Sequence, residues 1–286
     1  MRHPILITLC VAGALGLQGC GRNNGAETAK ALKDINVIEE SNLSELMLTT
    51  ADPQEAVDYF AKTAAQNPQK VALKRGLAKS LIRANKPLEA ANVWREVAYG
   101  PEGTNEDHVS LADALIRNND WKAAEKELGQ VPPTHETFER YRLEAMVADA
   151  NKRWKKADSY YETAFGLTTT PAGVLNNWGY SKLTRGDYKG AEKLFGQSLT
   201  YDPTSFTAKN NLVLARASQG RYDMPIVQMT QSEKAQLLYT AALVAIKAGN
   251  ISMGKTLLQD AIDTNPQYFE AAVRALETLD ANVTRG

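Results

Sequence analysis

Reactive chemistry in this chain is limited by where its side chains fall. The only thiols, Cys10 and Cys20, both stand in the first twenty residues. A thiolate serves as nucleophile, zinc ligand, disulfide partner or acyl acceptor, and beyond Cys20 the chain has none to offer. The three histidines, His3, His108 and His135, lack the paired spacing that a zinc site needs. Acidic pairs at Glu39-Glu40 and Glu106-Asp107 lie at expected helix starts, where carboxylates complement the positive end of the helix dipole. No phosphate-binding loop, dinucleotide fingerprint, HExxH or GxSxG sequence occurs. The chain is expected to be no enzyme, with no cofactor, no metal and no small-molecule substrate. Basic and acidic residues balance at 33 each without a basic run, so nucleic acid is not an expected partner either. What remains is amide chemistry. Asn176-Asn177 and Asn210-Asn211 both donate and accept, and an amide can bridge to an extended peptide backbone whatever its side chains.

The N-terminus has the order of an export signal. Met1-Arg2-His3 is followed by an apolar run from Ile5 to Leu17, too short to span a bilayer and of the length of a signal-peptide core. It ends in Leu17-Gln18-Gly19-Cys20, which resembles a bacterial lipobox. The resemblance implies cleavage before Cys20, removal of residues 1–19, a diacylglycerol on the thiol and a further, palmitate-like chain on the amine. Each buried CH₂ contributes about 0.8 kcal/mol, and three chains exceed the two signals that stable anchoring needs. Gly21 rather than aspartate follows the cysteine, which points to the periplasmic face of the outer membrane of a Gram-negative cell. Residues 20–36 then read as lipidated cysteine and flexible tether.

Helices must position whatever the body of the chain binds. From Val174 to Pro203 the sequence VLNNWGYSKLTRGDYKGAEKLFGQSLTYDP reads as two short amphipathic helices turning at Arg185-Gly186-Asp187. Trp178, Gly179, Ala191, Phe195 and Pro203 fall where a tetratricopeptide repeat (TPR) puts its bulky, small, small, bulky and helix-stopping residues. The pattern recurs as Ala56/Phe60, Ala90/Trp94, Ala124/Leu128, Ala157/Tyr161, Ala191/Phe195 and Gly254/Leu258, with alanine intervals of 34, 34, 33 and 34 residues. One such unit cannot bury its own apolar face, so stacked neighbours follow. The expected fold is all-α: a TPR solenoid of about seven helix-turn-helix repeats over residues 37–268, a right-handed superhelix, with a capping helix and tail at 269–286. Pro225 stands where the second helix of the sixth repeat should open, which predicts a shortened or distorted helix. Trp94, Trp121, Trp154 and Trp178 recur at packing or turn positions and are expected in the core.

By the same resemblance, the first helix of each repeat lines the groove. That places Asn176, Asn177, Tyr180, Asn210, Asn211, Leu214 and Tyr239 on one face, with Arg75 and Lys79 as its basic N-terminal part. Asn177 and Asn211 share a repeat position, so their amides are expected to stand one above the other. An apolar segment should prefer the C-terminal half of the groove and an acidic one the N-terminal half.

The C-terminal units NNWGYSKLTRGDYKGAEKLF and AKNNLVLARASQGRYD, together with the lipobox and tether, resemble the Flp/Tad pilus assembly lipoproteins of the TadD type. They depart from that family at Trp178, where its units more often carry leucine, and at Pro225. The resemblance implies an outer-membrane accessory scaffold whose partner is a pilus secretin or another Tad component. Two other roles fit the same features: an envelope scaffold, such as a BamD-like component of outer-membrane protein assembly or an adaptor of peptidoglycan enzymes, and a regulatory subunit attached to an enzyme.

Overall fold

The computed structural model describes residues 42–283, and these hold helices and no strand. The signal peptide, Cys20 and the tether lie outside the described residues, as do Glu39 and Glu40. Two compact units divide at Ala84 and Asn85.

The first unit contains α1 (42–49), α2 (Pro53–Gln66) and α3 (Val71–Arg83). Helix α2 begins with Pro53, whose missing N–H is no loss in a first turn. Asp52 caps it, accepting from the Gln54 and Glu55 backbone N–H groups. Phe60, Ala64 and Leu73 form the core, with Met47, Leu48, Tyr59 and Leu77 around them. The Arg83 guanidinium donates to the Met47 and Ala51 carbonyls, both at 2.7 Å, and ties the end of α3 to the end of α1.

The second unit runs through α4 (Pro87–Ala98), α5 (Asn105–Arg117), α6 (Trp121–Leu128), α7 (Phe138–Ala150), α8 (Trp154–Gly166), α9 (Ala172–Thr184), α10 (Tyr188–Tyr201), α11 (Phe206–Ala217), α12 (Gln231–Lys247), α13 (Ile251–Thr264) and α14 (Glu270–Val283). Helices α5/α6, α7/α8, α9/α10 and α12/α13 are packed hairpins; the first three pack one on the next, and α11 packs between α10 and α12. One residue in every hairpin turn takes left-handed backbone angles: Asn119, Lys152, Gly186 and Gly249, with Asn85 and Gly220 at the equivalent places. Glycine adopts that region freely and asparagine tolerates it, whereas Lys152 carries a Cβ penalty. Asp120, Asp187 and Asn250 follow directly and cap the second helix of their hairpins.

The sequence period is a packing period. The small residues Ala56, Ala90, Ala124, Ala157 and Ala191 are fully buried, and their partners four residues on are at most 4% exposed. Small side chains let two helices approach closely enough for the large ones to fill the space between layers.

The sixth repeat departs from the expectation of a shortened second helix: no helix forms there at all. After α11, residues 218–230 run as turn and irregular backbone to α12. Pro225 has no N–H to donate and disfavours helical angles at Met224 before it. Tyr222, Met224 and Met229 pack on the C-terminal core of α12–α14, and Val227 packs on the core of α10 and α11. Glu192 on α10 holds the start of this strap, accepting from Arg216 (3.0 Å), Gln219 (3.2 Å) and Arg221.

Candidate functional site

Helices α7, α8, α9 and α11, with the first turn of α6, enclose an open cavity of about 470 Å³ in the second unit. Its wall is mainly apolar: Trp121, Met146, Ala150, Trp154, Tyr161 and Tyr180. Polar groups converge on it from Asp149, Asn176, Asn177, Ser181, Thr184, Thr207 and Asn211. Apolar walls with a few placed polar groups are what ligand sites share. A second cavity of about 390 Å³, reaching Phe138 and Arg142, shares Asn176, Asn177 and Thr207 with the first.

Four of the sequence-expected groove residues meet here: Asn176, Asn177, Tyr180 and Asn211. The register of the amides is corrected. Asn211 Nδ2 donates to Asn176 Oδ1 at 3.0 Å, so Asn176, not Asn177, is the partner of Asn211. Neighbouring positions on a helix are 100° apart, and the angle between α9 and α11 decides which one faces across. Asn177 keeps its side-chain amide uncommitted among the described residues. Asn210 instead accepts from Thr240 Oγ1 at 2.8 Å. Leu214 packs on the α10/α11 core, and Tyr239 lies against Phe269 with ring centres 5.3 Å apart. Arg75, half-buried, and Lys79, exposed, belong to α3 in the first unit.

The tryptophans are a second correction. Trp94 is core at 3% exposure. Trp178 stacks on Tyr161 at 6.2 Å and donates its indole N–H to Asp158 at 2.6 Å. Trp121 and Trp154, however, are half-buried and line the cavity. Both open the second helix of a hairpin two residues after the left-handed turn, and a ring at that place reaches past the hairpin to the face of the first helices. Arg185 lies over the Trp154 ring at 5.6 Å and ion-pairs with Asp158 at 2.5 Å. Burial alone would push the Asp158 carboxyl up, but the Trp178 indole, Arg185 and Lys182 together hold it below the ordinary carboxylate range.

Asp149 on α7 is the group sequence reading missed, because a lone carboxylate inside a helix has no signature. Ser181 Oγ donates to its Oδ1 at 2.7 Å, and Tyr161 OH donates to its Oδ2 at 2.9 Å. Burial, the largest influence, pushes its carboxyl above the ordinary range; the two hydroxyls and the charge of Arg185 pull the other way. A pKa higher in the folded state means that protonation favours the fold. The contribution is full below the unfolded value, ~4, and is lost as pH rises through the folded one. Urea unfolding should therefore show Asp149→Asn gaining stability relative to the wild type as pH rises above about 4. A difference that stays constant with pH would contradict this.

Another titratable cluster joins Tyr99, His108 and Glu127. Tyr99 OH donates to Glu127 at 2.9 Å, and His108 Nδ1 lies 3.1 Å from the same carboxylate. No group of three or more His, Cys, Asp and Glu side chains among the described residues could hold a metal. Nor is any described helix long and apolar enough to cross a membrane.

Tandem helical hairpins with buried small residues and one lined face are the architecture of tetratricopeptide-repeat proteins, and the comparisons agree. A tetratricopeptide-repeat family model matches residues 176–223, the hairpin α9/α10 with α11. Mouse tetratricopeptide repeat protein 21B is 26% identical over 125 residues, 41% of this chain and only 10% of that protein. Among solved structures, the anaphase-promoting-complex assembly Cut9–Hcn1 aligns with a TM-score of 0.60 at 14% identity, over 82% of this chain and 48% of that one. A tetratricopeptide-repeat protein from Parabacteroides merdae gives 0.55 at 12% identity, over 83% and 96%. PilW, a type IV pilus biogenesis factor, gives 0.55 at 17% identity, over 73% and 99%. At these identities the likeness is one of fold, an all-helical solenoid of tetratricopeptide-type hairpins.

Proposed function

We propose that this protein is a non-catalytic, lipid-anchored scaffold at the periplasmic face of the outer membrane. It binds an extended segment of a pilus secretin, or of another Flp/Tad component, and assists assembly of the pilus apparatus. The observation that carries the binding role is the aromatic-walled cavity, with the uncommitted Asn177 amide at its rim and Tyr180 exposed beside it. An extended segment laid along α9 would offer backbone groups to Asn177 and side chains to the two adjoining cavities. The lipobox ending in Cys20 supports the address, and the Flp/Tad-like units around Asn176 and Asn210 support the partner. PilW, of the same fold, serves pilus biogenesis in its own system.

The test is photocrosslinking in cells with benzoylphenylalanine at position 180, followed by identification of the adduct. A secretin adduct, with fewer secretin multimers in outer-membrane fractions of a deletion strain, is the expected result. Unchanged multimers and unchanged surface pili would overturn the pilus role. Adducts to the β-barrel assembly machinery would favour the general envelope scaffold instead.

A further inference from the structure

A peptide groove needs apolar walls and amides, but it does not need Asp149. This carboxylate lines the cavity and accepts one hydrogen bond on each oxygen, from Ser181 and from Tyr161. Each oxygen retains another acceptor site, and the two donors are neutral hydroxyls; Arg185 acts on the carboxylate only from a distance. Among the described residues no lysine or arginine lies within ion-pair distance of it. The cations nearby are committed elsewhere: Arg185 to Asp158 at 2.5 Å and Arg142 to Asp113 at 3.2 Å. Asp158 itself is a second negative charge close by. A partly buried carboxylate with no ion pair of its own, inside a wall of indole and phenol rings, is complementary to a cation with a long apolar stem.

Resting on the peptide-binding reading above, we propose that the cavity is a socket for one basic side chain of the partner segment, arginine before lysine. The stem would pass between Trp121, Trp154 and Tyr180, and the head would reach the free acceptor sites of Asp149. Arginine is preferred because its planar guanidinium stacks on aromatic rings and sheds water more readily than an ammonium. The protein's own Arg185 over Trp154 shows this contact already made once at the same ring. The sequence expectation of an apolar ligand for this half of the groove is thereby narrowed: apolar stem, charged end.

The four tryptophans give a direct readout. With the indoles labelled with ¹⁵N, the protein is titrated with acetyl-Ala-Ala-Arg-Ala-Ala-amide and with the same peptide carrying citrulline, phenylalanine or leucine at the centre. The expected result is a saturable shift of the Trp121 and Trp154 signals by the arginine peptide, at least about tenfold tighter than by the neutral citrulline isostere. Asp149→Asn should abolish that preference. Tyr180→Ala, at an exposed position that cannot disturb the core, should weaken the arginine peptide about threefold or more. Equal binding of arginine and citrulline, tighter binding of phenylalanine or leucine, or a preference that survives Asp149→Asn would each overturn the proposal. Silence from all the peptides would do so too, while a Tyr180 photocrosslink would still uphold the scaffold.

Discussion

Phe195→Ala should destabilise the second unit by about 3–5 kcal/mol, at the upper end of what a single core truncation costs. Phe195 is fully buried, within a cluster that includes Leu183, Ala191, Leu199, Ala208, Leu212 and Ala215. Its ring lies on Gly179, where even a Cβ would fall 2.7 Å from a ring carbon. Directly beneath the ring nothing can swing in, since glycine has no side chain to move and Ala191, Ala208 and Ala215 add little reach. Leu183, Leu199 and Leu212 border the gap but are already packed in the cluster and relax only in part. Most of the cavity should therefore persist, and its cost grows with the volume left empty. The same geometry fixes the sign of a double-mutant cycle. Gly179→Ala alone forces the ring aside, and overpacking of this kind typically costs about 1–3 kcal/mol. In the Phe195→Ala background the same methyl enters empty space and gains the helix propensity of alanine over glycine, about 1 kcal/mol. Urea midpoints of the four proteins, with hydrogen exchange in α9–α11 to localise the effect, measure the coupling. Additive losses would show that ring and glycine do not oppose each other.

That Gly179 and Phe195 belong together was legible before any coordinates, because their spacing repeats along the chain and a repeat's packing is local. Local rules also made the turns legible: a left-handed residue, usually asparagine or glycine, recurs at intervals of about 29–34 residues, and at Asn119, Gly186 and Gly249 a capping Asp or Asn follows it. What was not legible depends on elements far apart in sequence. Whether Asn176 or Asn177 meets Asn211 turns on how α9 and α11 cross, which no single repeat encodes. Trp121 and Trp154 occupy a position that reads as packing, and only the open face of α7 and α9 in front of them makes them cavity walls. Asp149 is one carboxylate among 33 acidic residues; its meaning comes from Tyr161 and Ser181, twelve and thirty-two residues away. Pro225 announced a break, but not that the broken segment would become a strap clasped by two neighbouring cores.

The strap ends at a second point of high sensitivity. Glu233→Ala should cost about 3–5 kcal/mol, because it strips a buried ammonium of its counter-ion. Lys209 on α11 is 2% exposed, and its Nζ lies 3.2 Å and 3.4 Å from the two Glu233 oxygens. Glu233 itself is partly open to solvent, which screens the attraction, so most of the loss comes from the lysine left charged and dry. Glu233 also closes a capping box at the start of α12: Thr230 N–H donates to its carboxylate at 2.8 Å, and its own N–H donates to Thr230 Oγ1 at 3.1 Å. The Thr230 backbone N–H, and after it Lys209, hold the Glu233 carboxyl below its ordinary range against the opposing effect of burial. A folded pKa below the unfolded one stabilises above ~4.3 and loses that contribution as pH falls through the folded value. The wild type should thus lose stability on acidification more steeply than Glu233→Ala. The control is Lys209→Met, which removes the charge and keeps the volume; it should be near neutral, and added to Glu233→Ala it should recover most of the loss. If the double variant is as unstable as Glu233→Ala alone, the capping box rather than the buried ammonium is what the glutamate serves. Either outcome bears on the strap, since this one carboxylate joins α11, the last helix before the break, to the first turn of the helix after it.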